Sequence, residues 1–100
     1  MSRFSTPDQN PPSAFFAQVR GRVQGVGFRY SAYNEASRLR LTGWVRNTRD
    51  GEVDVWAEGP QENLDLFLRW LHQGPPRARV ESVEAETKIP TGAYIVFSIE

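Results

Sequence analysis

The apolar residues of this chain change their spacing in a fixed order, and that order restricts the available folds more than any other feature. From Phe15 the pattern alternates, with Phe15, Ala17, Val19 and Val23 on one side and Phe16, Gln18, Arg20 and Arg22 on the other, as a half-buried strand requires. Gly21, Gly25 and Gly27 break the alternation, and Phe28, Ala32, Ala36 and Leu39 then recur at helical spacing, with Gly43 just beyond. Alternation returns through Trp44, Val45, Arg46, Asn47 and Thr48. Asp50-Gly51 signals a hairpin before Val53, Val55 and Ala57 alternate with Asp54, Trp56 and Glu58. Gly59-Pro60 opens a second helix, since Pro is favoured in a first turn, and Glu62 and Asp65 complement its positive end. Leu64, Phe67, Leu68 and Leu71 form its apolar stripe, and Gly74-Pro75-Pro76 stops it. Two strands remain: Val83 and Ala85 alternate with Glu84 and Glu86, and Ile95, Phe97 and Ile99 with Tyr94, Val96 and Ser98.

The order strand, helix, strand, strand, helix, strand, with an extra terminal strand, is that of a split βαβ pair. It predicts an α+β, ferredoxin-like βαββαβ sandwich, an antiparallel sheet with two helices on one face. Residues 1–14, with Pro7, Pro11 and Pro12 among polar side chains, are expected to form a flexible N-terminal tail ahead of a single domain at 15–100. The chain's 100 residues hold one domain, and 39% hydrophobic residues supply a modest core. No apolar run approaches the roughly 20 residues of a membrane span, and no secretory signal follows Met1, so a cytoplasmic protein without membrane contact is expected. The absence of Cys excludes disulfides, thiolate metal clusters and cysteine nucleophiles, and His72 alone leaves little for zinc. No metal or cofactor is expected.

Net charge is zero, but residues 20–49 carry seven Arg against Glu35, whereas residues 50–100 carry four cations against ten acids. A site for an anion therefore belongs in the first half, unless the charges are simply solvated. The segment Gly21-Arg22-Val23-Gln24-Gly25-Val26-Gly27-Phe28-Arg29 lies there, between a strand and a helix. Glycines allow φ > 0, which lets successive N–H groups turn into a concave nest, and a helix start adds unpaired N–H groups and a favourable dipole. Arg29 adds a planar fork of donors. Neither G-x-x-x-x-G-K-[ST] nor G-x-G-x-x-G is present. By spacing alone the loop is either a tight turn before a helix or a phosphate cradle.

The same run resembles the signature loop of the acylphosphatases, and Gly43-Trp44-Val45-Arg46-Asn47-Thr48 followed by Asp50-Gly51 is similar to their second motif. The resemblance spans residues 15–100, including Glu58-Gly59-Pro60 and Gly74-Pro75-Pro76, and implies the ferredoxin-like fold reached above from pattern. It further implies hydrolysis of the carboxyl-phosphate bond of small acyl phosphates, without metal, cofactor or covalent intermediate. On this reading Arg29 binds the phosphoryl group with the backbone N–H groups of Gln24, Gly25, Val26, Gly27 and Phe28. Asn47 holds the attacking water, and Thr48 supports it. A monomer that binds no nucleic acid is expected. The chain departs from the pattern at Arg40, where the family often has Gly near the end of the first helix; a left-handed cap there is costly for a residue with a Cβ.

The chemistry is coherent without the family. An acyl phosphate releases a carboxylate, a weak base, so no general acid is essential. Phosphoryl transfer through a loose transition state relies on positioning and electrostatics. The Asn47 amide can accept one hydrogen bond from water and donate another, orienting it without deprotonating it. The alternative is a non-catalytic phosphate- or single-stranded-RNA-binding ferredoxin-like module, but the RNA motif is only faintly echoed by Gly25-Val26-Gly27-Phe28, in a loop rather than a strand. Trp44 and Trp56 suit packing better than base stacking. A third reading, the carbamoyl-phosphate-handling domain of hydrogenase-maturation proteins, shares this loop but is joined there to Cys motifs. Asp54 and Glu58 share a strand face with Trp56, which is expected to be solvated, and His72 is expected to complement the end of the second helix.

Overall fold

In the computed structural model, which describes residues 11–100, the elements are β1 (Ser13–Arg22), α1 (Phe28–Arg38), β2 (Thr42–Asn47), β3 (Val53–Gly59), α2 (Gln61–Gln73), β4 (Arg79–Lys88) and β5 (Phe97–Ile99). They form one five-stranded sheet in the order β4-β1-β3-β2-β5. Register explains the core: Ala17 lies opposite Val55 and Ala85, Val19 opposite Val53 and Val83, and Val45 opposite Val55. Alternation thus sends one set of small and β-branched side chains to the same face. Phe28, Ala32 and Ala36 of α1 and Leu64, Phe67 and Leu71 of α2 cover that face and are buried with it. Phe67 sits at its centre, stacked on Phe15 at 6.2 Å and edge-on to Phe97 at 5.8 Å. The two-helix, ferredoxin-like architecture is the one the hydrophobic pattern predicts.

Four details differ from expectation. The sheet is mixed, because β5 pairs parallel with β2 while the other pairs are antiparallel. β2 already runs opposite to β4, so a chain that reverses after β4 arrives parallel to β2. The first strand begins at Ser13, taking in two residues assigned to the tail, with Ala14 buried; residues 1–10 of that tail lie outside the described residues. The last strand spans only Phe97–Ile99, and Ile95 and Val96 are exposed. Pairing starts where Gly43 N–H meets the Val96 carbonyl at 3.1 Å, and just before it Tyr94 Oη accepts a bond from Trp44 Nε1 at 3.1 Å. Finally, Asp54 and Glu58 are buried rather than solvated, at 7% and 5% exposure. Arg46 lies over the Trp44 ring and 3.8 Å from Asp54, and Glu58 accepts bonds from Trp56 Nε1 at 2.7 Å and from Thr91 and Gly92.

Arg40 adopts φ 59°, the one left-handed residue other than glycine among the described residues, as its place after the first helix predicts. His72 Nδ1 lies 3.0 Å from the Leu68 carbonyl one turn back on α2. Among the described residues no helix is long and apolar enough to cross a membrane.

Candidate active site

The segment joining β1 to α1 is held from below by its apolar side chains. Val23, Val26 and Phe28 are buried, whereas Gly25 and Gly27 between them are exposed. Gly25 and Gly27 both take left-handed conformations, φ 75° and 78°, and a Cβ on either would meet nothing within 4 Å. Glycine is therefore needed for the turn and not for space. The result is a loop whose main chain faces outward. Among the described residues, no N–H of residues 24–28 donates to a protein acceptor. The first helical bond runs from Ser31 N–H to Gly27 carbonyl at 3.0 Å, and neither a side-chain cap nor an acid occupies the first turn of α1. This leaves an uncapped, electropositive helix start beside a row of free amides.

Gly21 belongs elsewhere. It lies within β1 at an irregularity in the pairing with β4, and a Cβ there would come within 2.2 Å of the Arg79 carbonyl oxygen. Its role is close strand approach, which the loop spacing in sequence does not reveal.

A surface pocket of about 220 Å³ opens over the loop, with Gln24, Gly25, Gly27, Phe28 and Arg29 along one side and Asn47 on another. Arg29 stands in the first turn of α1, half-buried, and its Nη1 donates to the main-chain oxygen of Glu100 at 3.1 Å. That bond fixes one side of a guanidinium that still has donors to spare. Three of the other arginines in residues 20–49 are engaged with acids: Arg20 with Glu52 and Glu84, Arg38 with Glu35, and Arg46 with Asp54. Arg29 alone of that group lines the pocket. The charge asymmetry of the sequence thus contributes one guanidinium to the site and pairs three of the others with acids.

Asn47 is the last residue of β2 and is exposed. Thr48, next along, does not line the pocket; its Oγ1 accepts from Glu52 N–H at 3.1 Å and its own N–H donates to the Glu52 carbonyl at 2.9 Å. Thr48 therefore shapes the hairpin that ends in Asn47. Val26, also expected at the site, does not line the pocket either, and its side chain is in the core. Sequence reasoning missed Val23, read only as a strand residue, and Tyr30 and Ile99, which together complete the lining. Tyr30 follows Arg29 on the same helix turn, and Ile99 enters because β5 lies beside β2; no local pattern carries the second fact.

A matching family model, acylphosphatase, covers residues 15–99. The chain belongs to the acylphosphatase family. An acylphosphatase of Pseudomonas paraeruginosa is 59% identical over 70 residues, covering 70% of this chain and 77% of that protein. The crystal structure of the Bacillus subtilis acylphosphatase superposes with a TM-score of 0.85 at 38% identity, covering 88% of this chain and 98% of that one. A full-length HypF in a phosphate- and nucleotide-bound form matches with a TM-score of 0.78 at 25% identity, over 90% of this chain but only 12% of that one. The acylphosphatase fold thus also occurs as a small part of a much longer chain. As an acylphosphatase-family member, the protein is an enzyme that hydrolyses small acyl phosphates.

Proposed function

We propose that the pocket hydrolyses acyl phosphates by direct attack of water on phosphorus, with Arg29 and the N–H groups of residues 24–28 holding the phosphoryl oxygens and Asn47 holding the water. The observation that carries this reading is the convergence of one unpaired guanidinium face, a row of free amides and one exposed carboxamide on a single pocket. The water oxygen forms the new bond to phosphorus. The bond from phosphorus to the carboxylate oxygen breaks, its electron pair leaves on the carboxylate, and both water protons end on the phosphate. Charge gathers on the equatorial phosphoryl oxygens in such a transition state, and preorganised donors stabilise it there. A carboxylate leaves readily without protonation, so the pocket's lack of an acid is no obstacle.

The test separates binding from chemistry. Arg29→Ala is expected to weaken competitive inhibition by inorganic phosphate and to lower kcat, and Arg29→Lys to restore little, because an ammonium lacks the planar fork. Asn47→Ala is expected to lower kcat by roughly 100- to 1000-fold, the cost of losing one preorganised group in comparable sites, while phosphate inhibition stays close to that of the wild type. Wild-type turnover in both variants overturns the reading.

A further inference from the structure

Gln24 belongs to the phosphate loop by sequence and to the opposite hairpin by contact. Its side-chain Nε2 donates to the Thr48 carbonyl at 2.9 Å and to the Glu52 carbonyl at 2.8 Å. Both acceptors are carbonyl oxygens, so the amide nitrogen must face them, and both of its hydrogens are used. Those carbonyls stand at the two ends of the loop that follows Asn47, and the loop is closed on itself by the paired bonds between Thr48 and Glu52. Gln24 therefore clasps a small closed ring whose first residue is covalently joined to Asn47. Its main chain, meanwhile, lies in the row of free amides.

The two halves of the site ride on different parts of the fold. The cradle follows β1, and Asn47 ends β2, a strand separated from β1 in the sheet by β3. In-line attack needs the water at a fixed distance and direction from phosphorus, and an error of about 1 Å costs on the order of 100-fold. We propose that Gln24 is a positioning residue that sets the place of Asn47 relative to the phosphoryl cradle, acting through Thr48 and Glu52. This rests on the reading of Asn47 as the residue that holds water. The side chain thereby gains a role distinct from the phosphate contact of its own backbone N–H.

The experiment measures benzoyl phosphate hydrolysis and its inhibition by inorganic phosphate in Gln24→Met, which keeps the length and loses both donors, alone and combined with Asn47→Ala. The single variant is expected to lose about 10- to 100-fold in kcat with the phosphate inhibition constant within about 3-fold of wild type. In the Asn47→Ala background the same change is expected to cost less than about 3-fold, since residues acting through one another are not additive. Gln24→Glu supplies a second readout: its carboxylate has no donor, and its kcat relative to wild type is expected to rise as acidification restores one O–H. An unchanged kcat in Gln24→Met, an equal loss in the Asn47→Ala background, or phosphate inhibition that weakens in step with kcat overturns the proposal. Should Gln24→Met fail to fold, a flat Gln24→Glu to wild-type ratio across pH overturns it instead. Full turnover by Asn47→Ala alone withdraws the water-holding reading and this coupling with it, whereas collapse of Asn47→Ala with Gln24→Met intact refutes the coupling only.

Discussion

Replacing Glu58 by Gln is expected to be among the most damaging isosteric changes outside the active site. The carboxylate is 5% exposed and takes four hydrogen bonds. Trp56 Nε1, Thr91 N–H and Thr91 Oγ1 reach Oε2 at 2.7, 3.0 and 2.7 Å, and Gly92 N–H reaches Oε1 at 3.0 Å. Glutamine can turn its one carbonyl oxygen to the three-donor side, but its amino group then faces Gly92 N–H, donor against donor. One charge-assisted bond is lost outright and three become neutral, a cost of about 3 kcal/mol when a bond to a charged group contributes about 1.5–3. For a domain of this size that lowers Tm by roughly 15 °C. The pH dependence follows with a definite sign. Burial by itself pushes the Glu58 carboxyl up, but the donors from Trp56, Thr91 and Gly92 outweigh it and hold the pKa below its ordinary value of 4.5. A carboxyl so lowered contributes stability above its unfolded pKa and loses it as pH falls through the folded one. Thermal unfolding from neutral pH down through the carboxyl range is therefore expected to show the wild type and Glu58→Gln far apart at neutrality and converging in acid. A difference below about 1 kcal/mol at neutral pH, or one that does not narrow on acidification, refutes the reasoning.

Other outcomes follow from the backbone. Gly27→Ala meets no atom, so the left-handed φ costs about 1–2 kcal/mol and reduced unfolded-state freedom returns about 0.4–1 kcal/mol, a net loss of about 0.5–1 kcal/mol, read as a Tm loss of about 2–5 °C; Gly21→Ala drives its Cβ into the Arg79 carbonyl and is expected to lose more stability in the same assay. Arg40→Gly relieves a left-handed strain of about 1–2 kcal/mol and adds about 0.4–1 kcal/mol of unfolded-state freedom, so it is expected to raise stability by about 0.5–1 kcal/mol. Because Arg40 lies outside the pocket, benzoyl phosphate turnover is expected to stay at the wild-type rate.

Both helices and most of the sheet are legible in the sequence because burial on one side imprints its own period. Val53, Val55 and Ala57 alternate, and the same residues meet Val19, Ala17 and Phe15 across the ladder. Where burial comes from distant chain, the imprint fails. Glu58 points away from the helices, a direction that ordinarily means water, and it is covered instead by Thr91 and Gly92. Ile95 and Val96 are apolar but exposed, so they mimic a longer strand than the one that pairs with β2. Gly21 reads as a loop glycine until β4 is laid beside it. In the site, the glycines, Arg29 and Asn47 stand out through their motifs. The double bond of Gln24 to the hairpin and the arrival of Ile99 depend on strand order, which periodicity does not encode.

The proposed mechanism turns on attack at phosphorus by water that Asn47 holds. Its most direct test is hydrolysis of benzoyl phosphate in ¹⁸O-labelled water with a metal chelator present, by the wild type and by folded Asn47→Ala. Attack at phosphorus by water predicts undiminished wild-type turnover, label in the phosphate with none in the benzoate, and a loss of roughly 100- to 1000-fold in the variant. Label in the benzoate, or a variant as fast as the wild type, contradicts it.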